Sequence, residues 1–115
     1  GVEGSMVFAG FSPEQPDENT KQFIEKYKAQ YGGEDPDMFV AQGYDAVKII
    51  AEAIEKAGSA DPKVFKDTLA QTKDFPGVSG NTTFRENREP IKSPINLLVV
   101  KDGKFSLLAK IPVEE

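Results

Sequence analysis

Residues 39–58 form the longest periodic segment of the chain and predict an amphipathic helix. The apolar side chains recur at spacings of three and four residues, which places them on one helical face. We expect that face to be buried; its members are Tyr44, Val47, Ile50, Ala51, Ala53, Ile54 and Ala57. The charged side chains fall mostly on the opposite side and predict a solvated surface; they are Asp45, Lys48, Glu52, Glu55 and Lys56.

Both ends of this helix carry residues that favour helix termini. Asp35 precedes Pro36 and predicts the N-cap, because proline is well tolerated at the first helical position. Gly58 predicts the left-handed residue that ends the helix.

The segments before this helix predict a strand and a second helix. Residues 2–11 are apolar on both faces of an extended chain, which is typical of a strand in the middle of a sheet covered by helices. A helix follows, capped by Asp17 or Asn19 and ending near Tyr31, and Gly32-Gly33 stops it.

The segments after it predict a third helix, a turn and a hairpin. The third helix begins at Asp61-Pro62 and ends near Thr72, and residues 75–77 (FPG) predict a type II turn. Residues 78–94 predict a partly extended connection with a short strand at 82–84. Asp102-Gly103 lies between the apolar runs 95–100 and 105–111, which is the pattern of a β-hairpin.

The predicted order is one strand, three helices, an extended connection and a hairpin. A doubly wound sheet alternates strands with helices, whereas here three helices follow one another. The sheet that would cover them must come from elsewhere. We therefore expect that the chain, which begins at Gly1 rather than Met, is a piece of a larger protein or that copies of it exchange strands.

Composition excludes several classes of function. The 115 residues include no cysteine and no histidine, which excludes thiol chemistry, histidine-based nucleophile systems and tetrahedral zinc sites, and we predict no cofactor. The net charge is -5 and lysine and arginine form no cluster, which argues against a nucleic-acid partner. No apolar run approaches the roughly 20 residues of a membrane-spanning helix.

The sequence resembles the C-terminal third of a periplasmic substrate-binding protein of the branched-chain amino-acid (Leu/Ile/Val) family of ABC transporters. The features that carry the resemblance are GVEG at 1–4 before the strand, the Tyr-Gly pair that ends the helix at 23–31, GYDAV at 43–47, GVSG at 77–80 with Phe84, and the Asp-Gly hairpin. The chain departs from the family pattern at 85–90, where the family commonly has an aspartate and glycine turn.

The resemblance implies the fold. We expect an α/β chain that forms partial lobes of a bilobed periplasmic-binding-protein fold, with three amphipathic helices, an N-terminal strand and a C-terminal β-hairpin. Residues 1–115 would be a single fragment of such a two-lobe protein, with lobe crossings near 9–11 and 91–94. The first strand and the hairpin would belong to one lobe and the helices to the other.

The resemblance also implies a function. The full-length protein would be the extracytoplasmic solute-binding component of an ABC importer, periplasmic or extracellular and membrane-associated, with the permease membrane subunits as partners. It would bind a branched-chain or other apolar amino acid between its lobes. The polar groups that grip the ligand would lie upstream of this chain, which would contribute only cleft wall. The candidate ligand-binding residues are Phe8, Phe39, Ala41 and Gln42.

Other interpretations stay open at the level of sequence. Phe8 and Phe39 also fit plain core positions. The same bilobed fold can serve as a ligand-sensing or receptor module. An enzyme would have to use carboxylates such as Asp35, Asp45 or Glu86, and nothing in the sequence places two of them in a shared apolar pocket.

Overall fold

Three helices follow one another along the chain, and six short strands pair into two antiparallel sheets, in the computed structural model, which describes residues 1–113. The helices are α1 (Glu18–Gln30), α2 (Met38–Ala57) and α3 (Pro62–Ala70). The strands are β1 (Met6–Ala9), β2 (Phe75–Gly77), β3 (Gly80–Phe84), β4 (Pro90–Ser93), β5 (Ile95–Lys101) and β6 (Lys104–Ile111). The predicted succession of strand, three helices and closing hairpin is confirmed.

The first sheet joins the two ends of the chain in the order β1-β5-β6. β1 pairs with β5 so that Met6 lies opposite Val99, and β5 pairs with β6 in the predicted hairpin. Asp102 and Gly103 connect these two strands with φ values of 54° and 75°. A two-residue hairpin turn with both φ angles positive has the twist that neighbouring strands require, which is why Asp-Gly predicted it correctly.

The prediction for the first strand is wrong in its position. β1 lies at an edge of its sheet, and Met6 and Phe8 are 61% and 64% exposed. The apolar residues on both faces of β1 match a covered central strand, but within residues 1–113 its one neighbouring strand is β5. The sequence pattern therefore describes an environment that these residues alone do not supply.

The second sheet has the order β2-β3-β4 and corrects the turn predicted at 75–77. These residues form β2, with Phe75 opposite Thr82, and the turn lies one step later at Val78 and Ser79. The short strand expected at 82–84 is confirmed as part of β3, and the connection that follows contains β4 as a further strand.

The N-cap of α2 differs from the predicted one. The side chain of Asp37 accepts a hydrogen bond of 2.9 Å from the backbone N–H of Val40, and Pro36 lies before the helix. Asp35 instead forms an ion pair of 2.9 Å with Lys28 at the end of α1. The predicted end is confirmed, because Gly58 follows α2 with φ of 71°.

The buried face of α2 agrees with the predicted one only in part: Ala53 is buried as expected, whereas Tyr44, Val47 and Ile50 are exposed. Ala41, Asp45, Ile49 and Ala53 are buried at four-residue spacing, whereas Val47 is 68% exposed. α3 and the turn between β2 and β3 both contact α2. Asp45, expected on the solvated side, is therefore part of the interior.

The apolar core lies where α1, α2 and the turn between β2 and β3 meet. Phe11, Phe23, Ala41 and Val78 form one buried cluster, and Ile24, Met38 and Val40 border it. The rings of Phe11 and Phe23 contact each other edge to face, with centroids 6.1 Å apart. This cluster fixes the start of α2 against the segment that follows β1.

Replacement of the two candidate cap residues distinguishes the observed N-cap from the predicted one. We expect Asp37→Ala to lower the free energy of unfolding by about 1 kcal/mol, because it leaves a backbone N–H at the start of α2 without its acceptor. Asp35→Ala removes one exposed ion pair and should cost about 0.5 kcal/mol or less. Urea unfolding of both variants measures these values; equal losses, or a larger loss for Asp35→Ala, would contradict the assignment.

Candidate functional site

The start of α2 lies beside the segment that leaves β1. The backbone N–H of Gly10 donates to the sulfur of Met38 at 3.4 Å. A Cβ atom at Gly10 would lie 3.4 Å from Nε2 of Gln42 and 3.5 Å from the sulfur of Met38. The segment that follows the candidate residue Phe8 therefore lies next to the helical turn that carries Phe39, Ala41 and Gln42.

The four predicted site residues differ in their accessibility. Phe39 is 74% exposed at the first turn of α2, Phe8 is exposed on β1, and Gln42 is half-buried next to Gly10. Ala41 is fully buried in the apolar core. Neither Phe8 nor Phe39 is a core residue of the described structure. Their role as ligand contacts stays a prediction.

A buried carboxamide joins three parts of the chain close to this site. Gln15 Oε1 accepts 2.9 Å hydrogen bonds from the backbone N–H of Ser12 and from Nδ2 of Asn96 at the start of β5. Gln15 Nε2 donates to Thr20 Oγ1 at 3.3 Å and to the carbonyl oxygen of Val78 at 3.2 Å. No local sequence pattern marks Gln15, because two of its partners lie 63 and 81 residues away.

A buried carboxylate holds the turn between β2 and β3 against α2. Asp45 is 1% exposed and accepts hydrogen bonds from the backbone N–H groups of Val78 (2.9 Å) and Ser79 (2.8 Å), and from the hydroxyl of Ser79. A Cβ atom at Gly77 would lie 2.6 Å from Asp45 Cγ, so only glycine fits there. The aspartate of GYDAV and the first glycine of GVSG therefore meet at one place.

Lys92 on β4 supplies a positive charge next to this carboxylate. Its ammonium donates to Ser79 Oγ at 3.0 Å and lies 3.9 Å from Asp45 Oδ2. Burial lowers the pKa of Lys92 from its ordinary 10.5, and the negative charge of Asp45 opposes that change. Ser79 is fully buried, so a substrate cannot reach its hydroxyl, and the arrangement stabilises the turn.

The described residues offer neither a metal site nor a membrane span. Within residues 1–113, no group of three or more acidic side chains is placed to hold a metal ion. In the same part of the chain, every helix is too short or too polar to cross a bilayer.

Lys92 is expected to make the free energy of unfolding rise with pH. Its pKa in the folded chain is lowered from 10.5. At pH values between the folded-state pKa and 10.5, the unfolded chain therefore holds more protons than the folded chain. Raising the pH through that window therefore favours the folded state; at lower pH both states are protonated and the cost of burying the charge is present in full.

The matched comparison is Lys92→Arg, whose guanidinium stays protonated throughout. Urea unfolding from about pH 7 to about pH 11 gives the free energy of unfolding of both proteins. As the pH rises, this free energy should increase for the Lys92 protein relative to the Lys92→Arg variant. Parallel curves for the two proteins would contradict the lowered pKa.

Known proteins resemble the chain in sequence and in structure. The leucine-, isoleucine-, valine-, threonine-, and alanine-binding protein of Pseudomonas aeruginosa is 38% identical over 73 residues, which are 63% of this chain and 19% of that protein. A leucine binding protein from Thermotoga maritima superimposes with a TM-score of 0.80 at 34% identity, over 96% of this chain and 31% of the other.

An ABC transporter substrate-binding protein from Desulfitobacterium hafniense, solved in complex with Leu, superimposes with a TM-score of 0.83 at 34% identity. That match covers 93% of this chain and 32% of the other. The chain thus spans about a fifth to a third of the length of these proteins, and its fold is a partial lobe of theirs. Residues 1–104 match the family described as periplasmic binding protein, and the chain belongs to that family.

Proposed function

We propose that the chain is part of the extracytoplasmic solute-binding component of an ABC importer, which binds a branched-chain or another apolar amino acid. One observation carries this proposal: nearly the whole chain superimposes on a substrate-binding protein that was solved with Leu bound. The partners of the full-length protein would be the permease membrane subunits. Its location would be the periplasm or the outer side of the membrane, with which it would associate.

We further propose that the ligand cleft lies between two halves of the structure. The sheet half consists of β1, β5 and β6, and the helical half consists of α1, α2, α3, β2, β3 and β4. The chain leaves the sheet half at 9–11 and returns to it after 91–94, where we place the lobe crossings. The contact of Gly10 with Met38 supports the proposal that the start of α2 lies beside the first crossing.

The chemistry of the cleft wall fits an aliphatic side chain. Phe39 and Phe8 present exposed aromatic surface that a small apolar ligand can cover, and Gln42 adds a neutral hydrogen-bonding group. Ala41 would support this wall from the core side. We infer that the groups gripping the ammonium and carboxylate of the ligand come from parts of the protein outside these 115 residues.

We infer binding rather than catalysis as the activity. The three carboxylates considered for an enzyme have other surroundings: Asp35 forms an ion pair with Lys28, Glu86 is exposed in a turn, and Asp45 is enclosed by its donors. General acid–base catalysis needs a carboxyl group that a substrate can reach in an environment that tunes its pKa.

Two exposed apolar surfaces support the proposal that the chain is a piece of a larger structure. The first is β1 with Met6 and Phe8, and the second is the row on α2 that includes Tyr44 and Val47. Contiguous apolar surface of this kind normally contacts another protein segment. We propose that, in a longer polypeptide, the remaining part of each lobe covers these two surfaces. In the isolated chain, copies would exchange segments and so cover the surfaces of one another.

A chimera tests the proposed ligand. The chain would replace the matching segment of the T. maritima leucine binding protein, and thermal unfolding would be followed with increasing leucine. We expect the midpoint to rise with leucine concentration, because leucine stabilises only the folded form. In the same chimera, Phe39→Ala should weaken leucine binding about tenfold by removing part of the apolar wall.

Phe105→Ala is the matched control, since Phe105 is a similarly exposed phenylalanine on β6 and its replacement should leave the affinity unchanged. The chain alone should show no midpoint shift with leucine. A folded chimera whose unfolding midpoint does not change with leucine would refute the proposed ligand class. A saturable midpoint shift for the chain alone would show that the groups binding the ammonium and carboxylate of leucine lie within these 115 residues.

The mass of the isolated chain in solution tests segment exchange. We expect sedimentation equilibrium to give twice 12.6 kDa, because pairing of copies would cover the apolar surfaces of β1 and α2. Met6→Lys places a charge on the exposed edge strand and should shift the sample towards monomer. Val64→Lys on exposed α3 is the control. A folded monomer of the unmodified chain would refute the exchange.

A further inference from the structure

We propose that Gln15 and Asn96 form a pivot that sets the angle between the sheet half and the helical half. This inference rests on the proposed division into two lobes. Gln15 follows the first crossing and Asn96 follows the second, so the pair spans the place where both connections pass. Both residues act as positioning residues, since neither is among the predicted ligand contacts.

The bonds of Gln15 reach both halves at once. Its Oε1 accepts from Asn96 in β5, which belongs to the sheet half, and its Nε2 donates to Thr20 in α1 and to Val78 in the helical half. A single rigid carboxamide thus fixes three elements relative to one another. Gln15 is 5% exposed and Asn96 is 2% exposed, so water competes little for these hydrogen bonds.

The pivot also has unused bonding capacity. Oδ1 of Asn96 is buried and, among the described residues, has no hydrogen-bond donor. It belongs to a side chain that lines a cavity of about 140 Å³, together with Gln15, Asp17 and Lys110. A spare acceptor next to open space allows the pair to exchange partners, which a hinge between two lobe angles requires and a rigid core contact does not.

Neighbouring contacts across the junction are polar as well. The backbone N–H of Leu107 in β6 donates to the Glu14 carboxylate at 2.7 Å, and that of Val113 donates to Ser93 Oγ at 3.0 Å. The first of these hydrogen bonds is exposed and the second is partly buried, so solvent can reach them more easily than it reaches Gln15 and Asn96. The buried carboxamide pair is therefore the interaction best placed to control the angle.

Distances between spin labels test the pivot. The chain contains no cysteine, so Lys63→Cys on α3 and Lys104→Cys on β6 give one labelling site in each half, both exposed. We expect a narrow distance distribution in this doubly labelled chain when it also carries Met6→Lys, which favours the monomer, so that the two labels report on one copy. Gln15→Leu removes all four hydrogen bonds and should broaden the distribution about twofold, because the halves then sample more angles.

Two further variants make the test specific. Gln15→Glu keeps the acceptor bonds to Ser12 and Asn96 but loses both donor bonds to the helical half, and should broaden the distribution as Gln15→Leu does. Gln71→Leu, at an exposed position after α3, is the matched control and should leave the distribution unchanged. An unchanged width in folded Gln15 variants, or equal broadening in the control, would refute the pivot.

A measurement on the unmodified chain does not depend on the folding of any variant. If the pivot holds, the side-chain amide protons of Gln15 and Asn96 should exchange with solvent at least about tenfold more slowly than those of Gln71. Equal exchange rates would refute it. Neither experiment involves an amino-acid ligand, so a failure of the pivot and a failure of the leucine chimera are recognised separately.

Discussion

The carboxylate of Asp45 is the constraint on which most of the helical half depends. It is buried, and it accepts three hydrogen bonds from a turn that lies more than thirty residues later in the chain. Loss of such an acceptor leaves buried donors unpaired, at about 1–3 kcal/mol each. Because α2 carries Asp45 and the turn carries Val78, the same contact aligns the apolar core. The N–H groups of Val78 and Ser79 and the hydroxyl of Ser79 donate to Asp45, and these hydrogen bonds hold the turn between β2 and β3 against α2.

Elements defined by neighbouring residues were predictable from sequence, and elements defined by distant partners were not. The hairpin at Asp102-Gly103 and the end of α2 at Gly58 depend on local φ angles, and both predictions are confirmed. Asp45 looked like a surface residue because helical periodicity assigns a side chain to a face without knowing which partner meets it. Gln15 carried no signal at all, since its role arises only when β5 and Val78 approach it.

Two of the wrong predictions, the central position of β1 and the burial of Tyr44 and Val47 on α2, share one physical origin. Residues 6–8 and the row of Tyr44 and Val47 are apolar because their sequence suits a covered surface, yet they are exposed among the described residues. The positions of apolar residues indicate which surfaces are buried in the stable protein. Burial of apolar surface is favoured by about 25 cal/mol of free energy for each Å². The pattern therefore supports the proposal that another protein segment covers these residues.

Apolar packing holds the helical half together, whereas hydrogen bonds connect it to the sheet half. The members of the core cluster lie in the helical half or at the first crossing, whereas the contacts that reach β5 and β6 from Gln15 and Glu14 are hydrogen bonds. An apolar core resists relative motion because its packing is lost when it opens, while hydrogen bonds can be exchanged with little net change in free energy. In the proposed two-lobe arrangement, a polar junction beside the start of α2 would let the angle between the halves change while Phe39 and Gln42 keep their places on the helix. A cleft that closes over a small ligand needs this combination of a fixed wall and an adjustable angle.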